Sequence, residues 1–161
     1  MNKTSRITRI ALIAAAYAVL TLAISPFSYG PIQLRISEAM CILPFFMVDA
    51  VWGLTLGCLL ANIIGVSLGM TLPWDVLVGT LATFIAAYMT SKIKLKWLLP
   101  LPAVVVNAIL VGLMLTYIIL ADVEGVPLWY NILTVFAGQA IVCYGLGMPL
   151  YAIMNKFHNK N

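Results

Sequence analysis

AMCILPFFMVDAVWGLTLGCLLANIIGVSLG, residues 39–69, decides the fold. Read as one helix it would be about 46 Å long at a rise of 1.5 Å per residue. The hydrocarbon core of a bilayer is about 30 Å thick and takes about 20 apolar residues to cross. Asp49 and Gly53 interrupt the run. The stretch is therefore read as two helices, a short one near 37–50 and a second near 52–69.

Basic residues in short loops favour the cytoplasmic side of a membrane, so they test this division. With six spans, Lys3, Arg6, Arg9, Lys92, Lys94, Lys96, Lys156 and Lys160 fall on one side and only Arg35 on the other. That is eight of the nine Lys and Arg residues. With five spans only Lys3, Arg6 and Arg9 share that side. Six helices with both termini cytoplasmic is the expectation, with Glu38, Asp75, Asp122 and Glu124 outside.

Composition requires a membrane. The 161 residues are 63% hydrophobic and 9% charged, against about 45–50% and about 25% in soluble domains. Such a chain cannot cover a water-facing surface. The net charge of +4 rests on too few groups for a nucleic-acid-binding face, and the hydrophobicity excludes disorder. Charge-free runs at 10–34, 39–48, 50–74, 76–91, 97–121 and 125–155 map the spans. Prolines mark helix boundaries: Pro26 ends the first helix, and Pro73, Pro100, Pro102 and Pro127 lie at or near the starts of later ones. The expected architecture is an all-α integral membrane protein. It is a single transmembrane domain over 1–161, a six-helix bundle with helices near 7–26, 37–50, 52–69, 74–91, 99–121 and 128–154, and an outer loop over 27–36. A secretory signal peptide at the start is the weaker alternative, because the apolar run is long and Pro26 follows the best small-residue pair.

Several chemistries lack their residues. No glycine precedes a lysine, so there is no phosphate-binding loop of the GxxxxGK[ST] type. The one histidine, His158, lies in the tail. Asp49 and Asp75 fall at opposite faces, so no metal cluster is expected. Cys41, Cys58 and Cys143 read as small buried hydrophobes rather than as a disulfide or metal site. No nucleophile is paired with a base, and the chain is read as a non-enzyme without a cofactor.

The polar residues within apolar helices carry the information. Alternation of Ile32, Leu34 and Ile36 with Gln33, Arg35 and Ser37 reads as a short extended segment. Ser37 is placed as the cap of the second helix, with Glu38 in its first turn. Glu38 is then either half of an interfacial ion pair or a ligand-binding carboxylate at the outer mouth; the second is preferred. Asn62, Asn107 and Gln139 sit within helices three, five and six, where an amide is costly unless paired. They bond either to neighbouring helices or to a ligand. Trp74, Trp129 and Tyr130 begin outer helix ends, as an interfacial belt or a stacking wall. Small residues at spacing four let helices approach closely. Such stripes run along helix one, as Ala11/Ala15 and Ala14/Ala18, and along helix three, as Gly53, Gly57, Ala61, Gly65 and Gly69. The second stripe is read as internal packing; the first could equally face another protein.

Six short helices in so small a chain, the AxxxA stripe and the missing ATPase motif resemble the substrate-binding (S) components of energy-coupling-factor (ECF) vitamin transporters. More narrowly, Pro31–Ile32–Gln33–Leu34–Arg35–Ile36–Ser37–Glu38–Ala39, Leu43–Pro44–Phe45, Trp52–Gly53–Leu54, Gly57–Cys58 and Ala61–Asn62 resemble the QueT family. The resemblance implies uptake of a queuosine precursor, a 7-deazaguanine base or queuine, across the cell membrane. It implies partners as well: a transmembrane T component docked on Ala11, Ala14, Ala15 and Ala18, and two ATPase subunits. A 7-deazaguanine offers two adjacent donors and a carbonyl, and a carboxylate accepts two donors at once. On this reading Glu38 takes the donors, Asn62 and Gln139 match the carbonyl and ring nitrogen, Trp74 or Tyr144 stacks on the ring, and Arg35 orients Glu38 or closes the outer loop. Asn107 completes the candidate set. A pterin or flavin would suit this inventory nearly as well. A structural membrane protein without a ligand is the alternative from another class.

Overall fold

The computed structural model describes residues 3–28, 34–119 and 127–158. Among these the chain is all helix. α1 (Lys3–Ala23) is followed by the single turn α2 (Ser25–Ser28). A 3-10 helix (Ile36–Ile42) runs directly into α3 (Leu43–Phe46). Then come α4 (Ala50–Ser67), α5 (Pro73–Thr90), a 3-10 turn (Lys96–Leu98), α6 (Leu101–Met114) with a π-helical extension (Leu115–Ile119), α7 (Leu128–Gly145) and α8 (Gly147–His158). Among the described residues, four helical stretches are long and apolar enough to cross a membrane: Lys3–Ala23, Ala50–Ser67, Lys96–Ile118 and Leu128–Phe157. Large side chains such as Leu12, Leu77 and Ile141 stand about two-thirds exposed around the bundle. Exposed apolar surface on this scale is a face for lipid.

α1 and α4 lie side by side and parallel. A Cβ on Gly53 would come within 2.7 Å of Ile13, and one on Gly57 within 2.7 Å of Tyr17 and 2.8 Å of the Ala14 carbonyl oxygen. The small-residue stripe of α4 is thus the seat of α1, and Gly53, Gly57, Ala61 and Gly65 are all buried. Gly69 does not belong to it. It sits beyond the end of α4 at φ +68°, with open space where a Cβ would stand. The Met70 amide bonds the Gly65 carbonyl and the Gly69 amide that of Val66, a left-handed C-terminal cap that glycine suits.

Two parallel helices need a return between them. The turn α2 that follows α1 and the start of α5 meet at Arg35, which donates to the Ser28 carbonyl and pairs with Asp75. The near end of α1 meets the start of α4 at Asp49, which pairs with Arg6 and Arg9. Ile36–Phe46 carries the chain from one end to the other. Its first seven residues are 3-10 helix, which rises about 2.0 Å per residue against about 1.5 Å in an α-helix, so this short segment reaches about 20 Å.

Some expected boundaries change. The second helix begins with Arg35 at its N-cap position and no side-chain cap. Ser37 lies inside it, its hydroxyl 2.7 Å from that of Thr21; satisfying two buried hydroxyls displaces the expected cap. The last predicted helix is two, broken at Leu146. Gly147, the first residue of α8, lies so close to the 3-10 helix that a Cβ would stand 3.2 Å from the Ala39 carbonyl oxygen. Most of the predicted loop 27–36, including Ile32 and Gln33 of the extended segment, lies outside the described residues, as do Asp122 and Glu124.

Candidate binding site

A connected set of polar side chains runs through the middle and far end of the bundle, closed off from its surroundings. Arg35, at the head of the 3-10 helix, is 3% exposed and Asp75, in the first turn of α5, is 2% exposed. Their charged atoms are 3.5 Å apart. Arg35 also donates from Nε to the Ser28 carbonyl at 3.1 Å, and its Nη1 lies 3.9 Å from Cys58 Sγ. The second Asp75 oxygen accepts the Thr71 hydroxyl. Asn62 of α4, fully buried, donates to the backbone carbonyl of Asp75 at 2.8 Å. A Cβ on Gly79 would come within 3.0 Å of Asn62 Nδ2 and 3.5 Å of Arg35 Nη1. That glycine leaves the passage through which the guanidinium reaches α5.

Nearer the middle, the Tyr17 hydroxyl of α1 donates to Glu38 Oε1 at 2.5 Å. One turn along α1, Thr21 donates to the Tyr17 carbonyl and faces Ser37, and Ser28 donates to the Thr21 carbonyl at 2.9 Å. Cys143 of α7 joins the opposite side. Its Sγ lies 3.6 Å from the Glu38 carbonyl oxygen and 3.5 Å from Gln139 Oε1. Burial of so many polar groups is tolerable because nearly all are bonded. Two amide atoms, Asn62 Oδ1 and Asn107 Nδ2, are buried without a hydrogen-bond partner, as is the Thr80 hydroxyl of α5. Of the two amide atoms, one is an acceptor and the other a donor.

Arg35, Glu38, Asn62 and Gln139 are linked in this way, and Asn107 is buried in α6 with its donor unmatched. The ion pair between Arg35 and Glu38, the less favoured alternative, is not the one formed: Arg35 pairs with Asp75, and Tyr17 holds Glu38. Trp74 and Tyr144 do not join the set. Trp74 is half exposed on the outside of α5, and the Tyr144 hydroxyl bonds the Trp97 carbonyl at 3.1 Å. The alanine stripe of α1 divides. Ala14 and Ala18 are buried within the chain, Ala14 against α4, whereas Ala11 and Ala15 are exposed.

Asp75, Tyr17, Thr21 and Cys58 were not in the sequence-derived set. Asp75 had one available signal. Arg35 is the one cation assigned to its side of the bundle, and a cation at the edge of oil needs a carboxylate. Tyr17 offers none, since a tyrosine in an alanine-rich helix equally fits a lipid-facing position.

Apolar helices around a closed, hydrogen-bonded polar interior make this a multi-pass membrane protein. The chain belongs to the QueT transporter family, whose family model matches residues 7–156. It is thus a member of a transporter family and not an enzyme. One relative is the queuosine precursor transporter QueT of Lactococcus lactis subsp. cremoris (strain MG1363). It is 38% identical over 87 residues, covering 52% of this chain and 48% of the relative. The match therefore spans about half the length of that curated protein. No solved structure matches the chain.

Proposed function

We propose that this protein is the S component of an ECF-type importer and binds a queuosine precursor, a 7-deazaguanine base or queuine, within the polar cluster. The observation that carries this reading is a pair of buried amide atoms left unmatched, Asn62 Oδ1 within the polar network and Asn107 Nδ2 in α6. An unmatched buried polar atom costs about 1–3 kcal/mol, and a ligand that completes both bonds recovers that cost. A guanine-like edge has the right complement. Its amino and ring N–H groups suit Asn62 Oδ1 and the Glu38 carboxylate, and its carbonyl suits Asn107 Nδ2. Tyr17 occupies Glu38 Oε1, and in this proposal the other carboxylate oxygen serves the ligand. Gln139 borders the site from α7. A site matched through hydrogen bonds rejects analogues lacking them far better than an apolar slot does.

In this proposal the chain crosses the cell membrane six times, with Ile36–Phe46 as the short second crossing. Both termini and Lys92, Lys94 and Lys96 are cytoplasmic, as the distribution of basic residues favours. The T component docks on α1 through Ala11 and Ala15, the two stripe alanines left exposed, and two ATPase subunits supply energy.

Titration calorimetry of the purified chain with a 7-deazaguanine base tests the substrate. Binding is expected, and Glu38→Gln should weaken it at least about tenfold, the low end for a hydrogen bond to a charged group. No heat with either a deazaguanine base or queuine, under conditions where the chain remains folded, overturns the reading.

A further inference from the structure

We propose, resting on the reading of the polar cluster as a binding site, that its ligand is a cation: a 7-deazaguanine whose side arm carries a protonated amine, in preference to a neutral base of the same shape. The argument is a count of charges. Between Arg9 and Lys92 the chain has one basic residue, Arg35, and between Lys96 and Lys156 it has none. Arg6 and Arg9 are engaged by Asp49 at the near end, and Lys92, Lys94 and Lys96 stand exposed. Among the described residues, the closed interior thus holds one guanidinium and two carboxylates, Glu38 at 3% exposed and Asp75 at 2%.

Arg35 pairs with Asp75, which also accepts from Thr71 in the first turn of α5. Glu38 is met by a neutral donor, the Tyr17 hydroxyl. A neutral donor spreads the charge of a carboxylate without cancelling it, and the amides at the head of a helix supply about half a charge. A charge left over among apolar groups is costly. The interior is therefore one positive charge short. A proton makes up the balance in the empty site, and a cationic ligand does so in the filled one. The titratable groups about Glu38 are Tyr17 of α1, Cys58 of α4, Asp75 of α5 and Cys143 of α7, with Arg35 and Cys41 on its own segment. α8 also packs on this segment. Its Tyr151 lies against Phe45 and Phe46, its Lys156 is exposed, and His158 ends the helix. Of all these, Arg35 alone is a buried cation.

The two demands on the ligand are separate. The unmatched Asn62 Oδ1 and Asn107 Nδ2 select the edge of the base, and the ammonium supplies the charge. An alkyl ammonium keeps its proton near neutral pH, as lysine does. It acts on Glu38 without touching it, because attraction between unit charges in such surroundings reaches across several ångströms.

The test is titration calorimetry of the full chain with 7-aminomethyl-7-deazaguanine and 7-cyano-7-deazaguanine, which share the guanine-like edge and differ in charge. The amine should bind at least about tenfold more tightly, after the cost of stripping water from the ammonium. Glu38→Gln keeps an acceptor for Tyr17 and removes the charge. Both bases then lose a hydrogen bond, but the amine alone loses its counter-charge, so the ratio should fall to within about threefold. In buffers of differing ionisation heat, the native chain should release about one proton per amine bound near neutral pH, and none with the nitrile. Amine affinity should fall as the pH is lowered, because protons compete for the same charge. The proton count uses the native chain and decides the matter if Glu38→Gln does not fold. Equal affinities without proton release overturn this inference and leave the substrate reading standing. Nitrile binding that strengthens in sodium chloride over choline chloride also overturns it, and gives the missing charge to a metal ion. No heat with either base overturns the substrate reading and this inference with it.

Discussion

Two arginine–aspartate contacts, at opposite ends of the bundle, look alike and are not. At the near end Asp49 takes Arg6 at 2.6 Å and Arg9 at 3.0 Å, with side chains 12%, 55% and 34% exposed. At the far end Arg35 and Asp75 are 3.5 Å apart and only 3% and 4% exposed. The shorter bonds belong to the wetter pair. Distance therefore does not rank them; surroundings do. Water screens and competes at Asp49, so its pairs contribute little net stability. At Asp75 there is no water to replace a lost partner, and removing one side strands the other charge. The buried contact is longer because both groups are shared: Arg35 with Ser28 and Cys58, and Asp75 with Thr71.

The largest expected effect follows. Asp75→Ala should destabilise the protein by about 3–5 kcal/mol, the cost of leaving a buried charge unpaired, read as a fall in the thermal unfolding midpoint in detergent. The double variant Arg35→Met with Asp75→Leu should recover much of that loss, since an apolar pair of similar volume replaces a buried ion pair at little cost. If Asp75→Ala is no worse than the same change at Asp49, the two ends are equivalent and the contrast fails.

A smaller effect is expected at the seam that joins the two ends. Gly57→Ala puts a methyl group 2.7 Å from Tyr17 Cβ and 2.8 Å from the Ala14 carbonyl oxygen. Backbone cannot yield as a side-chain tip can, so α1 must shift, at about 1–3 kcal/mol. Tyr17 moves with it, and with Tyr17 the hydrogen bond to Glu38. Gly57→Ala should therefore weaken ligand binding as well as lower the unfolding midpoint. A variant that loses stability while binding at full strength would separate the seam from the site.

The seam could be read from residue spacing because close helix packing is a local demand: Gly53, Gly57, Ala61 and Gly65 recur every four residues and make one face wherever the chain is helical. Glu38, Asn62 and Gln139 could be read because a polar group among apolar neighbours is costly and needs a reason. What could not be read was which group answers which. Asp75 follows a tryptophan at the start of a helix, a usual interfacial arrangement, and only the return of the chain through Ile36–Ile42 brings Arg35 to it. Tyr17 meets Glu38 because the 3-10 segment Ile36–Ile42 packs beside α1, a long-range fact that spacing within α1 does not contain. Trp74 and Tyr144 lie apart from the linked set, and spacing alone does not place them, since a large aromatic group suits a stacking wall and a lipid or loop contact equally. The break at Leu146 was hidden because glycine is common in membrane helices, and the need for Gly147 comes from Ala39, distant in sequence.

The smallest effect sharpens the contrast from the other side. Asp49→Asn keeps the shape of the side chain and removes its charge. Arg6 and Arg9 remain open to solvent and to lipid headgroups, so the loss should be under about 1 kcal/mol. Added salt should shrink the difference further, because screening acts on exposed charges, whereas the cost of Asp75→Ala should hardly respond to salt. The comparison therefore rests on two slopes, the change in unfolding midpoint against ionic strength for each variant. A salt-insensitive loss of several kcal/mol at Asp49 would mean that the near end is closed to water after all. In that case α1 is pinned to the start of α4 as firmly at its first turns as it is at Tyr17.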